Sequence, residues 1–400
     1  MSDPAGGQGL LKGTLVLDLA QLISGPWCAS LLGDLGAEVI KIEPPGAGEA
    51  LRHIGPKVQG QGVLFLAVNR NKRSLTLDLG KPRGRRVLDR LLARADVVVQ
   101  NFRPDVRRAY GLEYEPLRRS KPDLVLLSIT AFGEDGPYAL RPGTDHVFQG
   151  LSGLMSVSGE AEGGPLRCGV PVADMTAAHL AYAGVLAALL HRQHTGQGQE
   201  VKVNLLDAAM SLQQITLTEF LQLGRQSPRL GNSSPFACPV SVFRTRDGNL
   251  SISAFNDKFW RGLCRTLQME ELLDDPRFRD PDQRMAHREE MEALLGRRLA
   301  QKESAQWLQE LQAADVPCGP VHDYASLVQD PQVACNGLIR DLPHEVLGAV
   351  RTLSNPLALS ASPASPGPAA PILGRHTEQI LREFHFDARQ IQQLSSEGII

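Results

Sequence analysis

The chain has 400 residues, more than a single hydrophobic core readily supports, so its length predicts two domains. Lys and Arg number 42 against 44 Asp and Glu, which leaves no excess positive charge for a nucleic acid backbone. The six cysteines lack the spacing of a zinc site or a disulfide framework, which favours a reducing cytoplasm. We expect no membrane segment, since the longest apolar run, 177–190, is shorter than the roughly 20 residues of a span and the N-terminus does not resemble a signal peptide.

Apolar runs and amphipathic segments alternate over the first half of the chain. Strands are predicted at 15–19, 37–42, 74–79, 96–100, 123–129 and 200–205, and helices at 26–35, 83–95, 174–196 and 206–223. Most of these strands are continuous apolar runs, which is typical of a parallel sheet covered on both faces. A ligand of such a sheet is expected at the carboxyl ends of the strands, where Asn101 and Thr130 follow two of them.

A polar stretch rich in Pro, Ser, Asn and Gly, 224–239, separates this region from the rest. We therefore predict a large α/β domain over 1–224, a small α+β domain over 225–320 and a return to the large domain over 321–400. The small domain is expected to open with a hairpin turning at Asp247-Gly248, followed by helices near 258–267, 287–299 and 304–314 and a strand at 316–321. An extended connector, 360–371, and a last helix, 377–384, complete the prediction.

Asp174 stands at the start of the longest predicted helix. An Asp in that position commonly caps the free N–H groups of the first helical turn, so a purely structural role is one interpretation. Glycines at 150, 153, 159 and 169 precede it and would let the backbone approach a ligand closely, although ordinary turns explain them equally well. The local sequence leaves both interpretations of Asp174 open.

Several segments, in this order along the chain, carry a family pattern. They are Gly25-Pro26, 33–43, 69–74, 101–104, 150–174, 196–199 and 371–377. With them the sequence resembles, over nearly its whole length, the class III CoA-transferases, enzymes that move coenzyme A between carboxylic acids. The resemblance implies a Rossmann-like parallel-sheet domain with a smaller α+β domain, assembled as an interlocked homodimer. It also implies a cytoplasmic enzyme that acts on acyl-CoA and carboxylic acid substrates, with no permanently bound cofactor and no metal.

The resemblance assigns Asp174 as the nucleophile. Its carboxylate would attack an acyl-CoA thioester and pass through a mixed anhydride to an aspartyl-CoA thioester, which the incoming acid then resolves. The positive end of the helix dipole would keep the carboxylate ionised. By the same resemblance the candidate CoA contacts are Ile23, Val68, Asn69, Asn71, Lys72, Asn101, Phe102, Arg103, Arg108 and Asp145. Without it, the basic residues of 70–73 would be a solvated turn.

The sequence departs from the family pattern at three places. Ala109 stands where members often have an arginine, and Arg107 and Arg108 beside it are possible substitutes. Pro44 and Ile23 stand where oxalate-specific members have arginine and glutamine, and 232–238 replaces their tetraglycine loop. These departures disfavour transfer between formyl-CoA and oxalate.

The resemblance is closer to members that use succinyl-CoA and a dicarboxylate. Arg167 and Ser233-Ser234 are candidates for holding the distal carboxylate of such a diacid. The alternative function is a 2-methylacyl-CoA racemase, a relative on the same fold that uses a His/Asp pair. Its histidine would fall at Thr144, so the base is missing there, and His179 is expected to be a core residue.

Overall fold

The computed structural model of the protein describes residues 9–400. Its strands are β1 Leu15–Asp18, β2 Glu38–Glu43, β3 Lys57–Val58, β4 Gln61–Gly62, β5 Lys72–Thr76, β6 Val97–Gln100, β7 Val125–Thr130, β8 Glu200–Asn204, β9 Val240–Arg244, β10 Asn249–Ser253, β11 Cys318–Pro320, β12 Ile339–His344 and β13 Gly348–Leu353. Its α-helices are α1 Ser24–Asp34, α2 Val63–Val68, α3 Pro82–Leu92, α4 Pro104–Ala109, α5 Tyr114–Ser120, α6 Asp145–Leu151, α7 Val172–Thr195, α8 Leu205–Ser211, α9 Gln214–Leu223, α10 Asp257–Leu267, α11 Glu271–Asp274, α12 Pro281–Ala286, α13 Arg288–Leu299, α14 Ser304–Ala313, α15 Tyr324–Leu327, α16 Pro331–Asn336, α17 Thr377–Glu383 and α18 Ala388–Ser396.

The described chain forms two compact units. The first contains the chain up to residue 152 together with 169–214 and 334–400, and the second contains 153–168 and 215–333. The first unit is built on a six-stranded parallel sheet of order β5-β2-β1-β6-β7-β8. The chain moves outward from β1 to β5 and then returns to β6 on the other side of β1, so the strand order reverses between β1 and β6.

Both faces of this sheet are covered, as the apolar strands predict. Val97 and Val99 of β6 point into a core shared with α1 and α7, whereas Val98 points into a second core shared with α3, α17 and α18. Since side chains alternate along a strand, a strand covered on both sides is expected to be largely apolar rather than alternating. The predicted parallel α/β sheet is confirmed.

The second unit contains the predicted hairpin. β9 and β10 pair antiparallel around the turn at Asp247-Gly248, and β11 joins β10 to complete a three-stranded sheet. Its core is built around the fully buried Trp307 and Phe278. The helices predicted in this region correspond to α10, α13 and α14, with ends that differ by one residue.

Two helical predictions need correction. The helix expected over 206–223 is divided into α8 and α9, and at the break Gln213 turns inward to donate to the carbonyl of Ser152 at 3.0 Å. The C-terminal tail carries a further helix, α18, that the apolar pattern did not predict. Asp387 and Gln390 form a capping box at its start, a signal that was readable in the sequence.

The helix α7 is long and apolar enough to cross a membrane by length and composition, with a mean hydropathy of 1.4 over an 18-residue window. The expectation of no such segment rested on the uninterrupted apolar run 177–190, which is only part of this helix. In the structure Ala177, Ala181 and Val185 are buried in the core that α7 shares with α1 and the sheet. Burial of these residues is the packing of a core helix.

Candidate active site

A cavity of about 280 Å³ opens at the carboxyl ends of β1, β6 and β7. Its lining includes Gln21 and Ser24 after β1, Asn101 to Pro104 after β6, Thr130 and Ala131 around the end of β7, and Asp174. It therefore lies where the strand order reverses, the position at which open α/β sheets bind ligands.

The loops that follow β1 and β6 are joined by one side chain. The Asn101 carboxamide accepts from the Gln21 N–H at 2.9 Å and donates to the Gln21 carbonyl at 2.8 Å. The Asn101 side chain thus forms with the backbone of Gln21 the two hydrogen bonds that a residue of an adjacent strand would form. Because both of these hydrogen bonds are internal, we assign Asn101 to shaping the cavity wall.

Asp174 lies at the edge of this cavity in the first turn of α7. It is the third residue of the helix, whose N-cap is Pro171, and its side chain makes no capping hydrogen bond. Instead its Oδ1 accepts from the Ser24 hydroxyl at 2.5 Å, a contact between α7 and the start of α1. The interpretation of Asp174 as an N-cap is therefore wrong, and its carboxylate is directed toward the cavity.

The capping role belongs to Asp145, at the start of α6. Its Oδ1 accepts from the N–H of Ala173 at 2.8 Å and from the N–H of Asp174 at 3.3 Å, and its Oδ2 accepts from Gln149 at 2.7 Å. Asp145 and Gln149 are both buried. Asp145 therefore holds the backbone of the nucleophile candidate from a second helix, a role that no local sequence signal indicates.

Burial raises the pKa of Asp174 above its ordinary value, the Ser24 hydroxyl lowers the pKa, and the neighbouring Asp145 raises it further. The expectation that the helix N-terminus keeps this carboxylate ionised is thus incomplete, because desolvation is the largest influence. A more basic carboxylate is a better nucleophile once ionised. The surroundings of Asp174 suit a reacting group better than a surface cap.

The predicted CoA contacts Asn69 and Lys72 are buried away from the cavity. The Lys72 ammonium donates to Asp18 at 2.8 Å, to the Pro26 carbonyl at 2.7 Å and to Asn69 at 2.7 Å. Lys41 lies 3.4 Å from the same Asp18 carboxylate. Burial lowers the pKa of Lys72 to about 8, while Asp18 opposes that shift. This network connects β1, β2 and β5 with the first turn of α1, which begins at Ser24.

Asp145, described above, and four more of the predicted contacts also lie outside the cavity lining. Asn71 bonds to the buried Asp34 and Val68 is buried. Ile23 precedes α1 and packs against the core, next to cavity residues. The side chain of Arg108 is 72% exposed and its nearest ionic partner is Glu113. The other substitute for the missing family arginine, Arg107, pairs with Glu134 and Glu200.

Two arginines line the mouth of the cavity. Arg103, a predicted contact, donates to the Leu140 carbonyl at 3.0 Å, and Arg141 stacks over the ring of Tyr138 at 3.9 Å. Phe102, also predicted, lines the same cavity and packs edge-on against Tyr110. Arg141 was missed by sequence reasoning, although its position four residues before Asp145 is a usable signal.

No histidine is among the described residues that line the cavity. His146 is exposed, and His179, expected in the core, lies on the exposed side of α7 with Nδ1 2.7 Å from the Met175 carbonyl. Between residues 9 and 400, no group of three or more His, Cys, Asp or Glu side chains is placed to hold a metal ion. The cavity therefore offers one carboxylate and no partner base of the racemase type.

Comparison with known proteins identifies the family of the chain. The model of CoA-transferase family III matches residues 11–377. The chain is 34% identical to succinyl-CoA:glutarate CoA-transferase of Mus musculus, over 98% of this chain and 90% of that protein, and 37% identical to succinate–glutarate CoA-transferase of Agrobacterium fabrum, over 93% and 95%. A CAIB/BAIF family protein from Brucella suis has the same fold, with a TM-score of 0.85 at 35% identity over 94% of this chain and 99% of that one. The protein is therefore an enzyme that belongs to CoA-transferase family III.

Proposed function

We propose that this enzyme transfers CoA from succinyl-CoA to a dicarboxylic acid through a covalent intermediate on Asp174. The observation that carries the proposal is the Asp174 carboxylate itself, which is partly buried at the cavity at the strand-order reversal, with one oxygen bonded to Ser24. The other oxygen, Oδ2, is the attacking atom. A single positioned carboxylate is sufficient for covalent transfer between two acids.

The reaction runs in four steps. Oδ2 of Asp174 attacks the thioester carbonyl carbon of the donor and expels CoA thiolate, which leaves a mixed anhydride. The thiolate then attacks Cγ of Asp174 and releases the donor acid, forming aspartyl-CoA. The acceptor carboxylate attacks Cγ and expels thiolate again, and the thiolate takes up the new acyl group and frees Asp174. One thioester replaces another, so no ATP is consumed.

The two arginines at the cavity mouth are suited to the charged part of CoA. Arg103 and Arg141 are both exposed, and neither has a carboxylate partner among residues 9–400. Guanidinium groups bind phosphate through paired N–H donors. We therefore assign these two arginines to the CoA phosphates, together with Phe102 on the cavity wall, in place of the buried Lys72.

The choice of substrates rests on the relatives named above, which act on succinate and glutarate. The predicted diacid contacts lie in the second unit, where Arg167 is exposed and the Ser233 hydroxyl is bonded to Glu292 at 2.8 Å. The Ser233 hydroxyl is thus engaged by a partner within that unit. A hydrogen bond to a charged group contributes about 1.5–3 kcal/mol.

We expect succinyl-CoA to be a better donor than formyl-CoA, and glutarate or a similar diacid to be a better acceptor than butyrate by roughly 10- to 100-fold in kcat/KM, the equivalent of one such charged contact. Steady-state kinetics with succinate, glutarate, oxalate and butyrate measure this directly. A highest kcat/KM for oxalate or butyrate would contradict the substrate proposal and leave the role of Asp174 unaffected.

We also infer that the enzyme is a cytoplasmic homodimer. The helix α9 has no buried residue, and its apolar Ile215, Leu221 and Leu223 are 61–69% exposed. Apolar exposure of this extent on one helix is typical of a surface that a partner covers. Light scattering should give twice the 43.4 kDa of one chain. A monomer at micromolar concentration would contradict the inference.

A further inference from the structure

We infer that the Ser24 hydroxyl is a catalytic hydrogen-bond donor that stabilises negative charge on Oδ1 of Asp174 in the two steps in which Cγ of Asp174 is attacked. The inference rests on the proposed function and adds a second residue to its chemistry. Ser24 is buried, lines the cavity and lies at the first position of α1. Its hydroxyl is 2.5 Å from Oδ1 and belongs to a different element from the nucleophile.

The two oxygens of Asp174 have different fates in the reaction. Oδ2 bonds to the donor acyl carbon and leaves with the donor acid when thiolate attacks Cγ. Oδ1 stays on Cγ throughout, as the carbonyl oxygen of the anhydride and then of aspartyl-CoA. When thiolate or the acceptor carboxylate attacks Cγ, the electron pair of that carbonyl moves onto Oδ1. The oxyanion of both tetrahedral intermediates therefore forms on the atom that Ser24 already contacts.

The position of Ser24 is fixed by the buried network beneath it. Lys72 donates to the Pro26 carbonyl at 2.7 Å within the first turn of α1, and Lys41 donates to the Ala20 carbonyl in the preceding loop. A donor that is held before the reaction need not reorganise as charge develops. In the resting enzyme the same bond selects Oδ2 as the attacking atom, since Oδ1 is already occupied.

The first N–H groups of α7 do not supply this function. The N–H groups of Ala173 and Asp174 at the start of α7 are bonded to Asp145. A helix N-terminus would otherwise be the natural oxyanion donor. With those groups engaged, the hydroxyl of Ser24 is the donor in contact with Oδ1.

The experiment compares Ser24→Ala and Ser24→Thr with the wild type in steady-state and single-turnover kinetics. Loss of one oxyanion donor costs about 10²- to 10³-fold in kcat, so Ser24→Ala should lose about that much, with an unchanged KM for the acyl-CoA. Ser24→Thr keeps a hydroxyl and should retain most of the activity. Aspartyl-CoA should form and decay more slowly in Ser24→Ala by a similar factor. Ser30→Ala, a buried serine of α1 bonded to the backbone of Val68 and Arg70, is the matched control and should keep kcat near wild type.

A pH profile distinguishes stabilisation of the oxyanion by Ser24 from a role limited to tuning, that is, to lowering the pKa of Asp174. Ser24 lowers the pKa of Asp174, and Asp145 is the other titratable group against it, so Ser24→Ala should move the acid limb of the profile to higher pH. If tuning were the whole role, the deficit of Ser24→Ala would vanish on the plateau above that limb, where Asp174 is fully ionised. An oxyanion donor predicts that the deficit persists there.

If the wild type transfers CoA through Asp174 and Ser24→Ala has full kcat on the plateau, the role of Ser24 is overturned and the proposed function is unaffected. A wild type that forms no covalent intermediate overturns the proposed function as well. Thermal unfolding of each variant is the control for misfolding. An unfolding temperature close to that of the wild type would show that a loss of activity is not caused by misfolding.

Discussion

Replacing Asp174 with Asn should abolish CoA transfer, with kcat lower by at least about 10⁴-fold, because an amide cannot attack a thioester and, within residues 9–400, no second carboxylate lines the cavity. The substitution keeps an acceptor for the Ser24 hydroxyl and nearly the same volume. The fold should therefore remain, and the loss should appear in kcat with little change in binding of the acyl-CoA.

The direction in which Asp174→Asn changes the stability of the protein can be predicted. Burial raises the pKa of Asp174, so the native state binds a proton more readily than the unfolded chain between the ordinary pKa of 3.8 and the raised value. The wild type therefore gains stability from this group as the pH falls through that window, and at neutral pH it bears the cost of a buried charge. Asp174→Asn lacks that cost and should unfold at or above the wild-type temperature at pH 7, by an amount that shrinks on acidification.

The control for this experiment is Asp282→Asn, which also changes an aspartate in the first turn of a helix but one that is exposed in α12. Its activity and stability should match the wild type. Turnover by Asp174→Asn within a factor of ten of the wild type would refute the nucleophile assignment.

Replacing Lys72 with Met should destabilise the protein by about 3–5 kcal/mol, the typical cost of removing one partner from a buried ion pair. The ammonium of Lys72 is the charge nearest to Asp18, at 2.8 Å, and both side chains are fully buried. Lys41 remains 3.4 Å from Asp18, which compensates only in part. Chemical denaturation measures the free energy of unfolding directly.

The matched control is Lys57→Met, at an exposed lysine in β3, which should change the free energy of unfolding by less than about 0.5 kcal/mol. The opposite pattern would support the family-based assignment of Lys72 to CoA. In that case Lys72→Met would keep wild-type stability and raise the KM for the acyl-CoA, and our account of the buried network would be wrong.

The sheet was predictable from the sequence because its signal is local. The central strands are largely apolar because they are covered on both faces, and Val97 to Val99 show this within three residues. The hairpin at Asp247-Gly248 was equally readable from its turn residues. The start of β5 could not be predicted from the sequence, because its first residue, Lys72, is buried. A lysine in a sequence normally indicates a solvent-exposed position.

The site was predictable only in part. Position at a helix start drew attention to Asp174, but its contacts with Ser24 and Asp145 join residues 150 and 29 positions apart, which no local pattern encodes. The family resemblance directed the CoA assignment to 68–72, where the structure shows internal partners instead. Arg141 was overlooked because its one sequence signal is the short distance to Asp145, and only the fold places it with Arg103 in the lining of one cavity.

The most direct test of the central claim is mass spectrometry of the protein after mixing with succinyl-CoA and mild quenching. We expect the wild type to gain the mass of CoA less one water, the added mass to map to the peptide containing Asp174, and glutarate to discharge it. Asp174→Asn should show no added mass. An adduct on any other residue, or efficient transfer with no covalent intermediate in a rapidly quenched wild-type sample, would contradict the account.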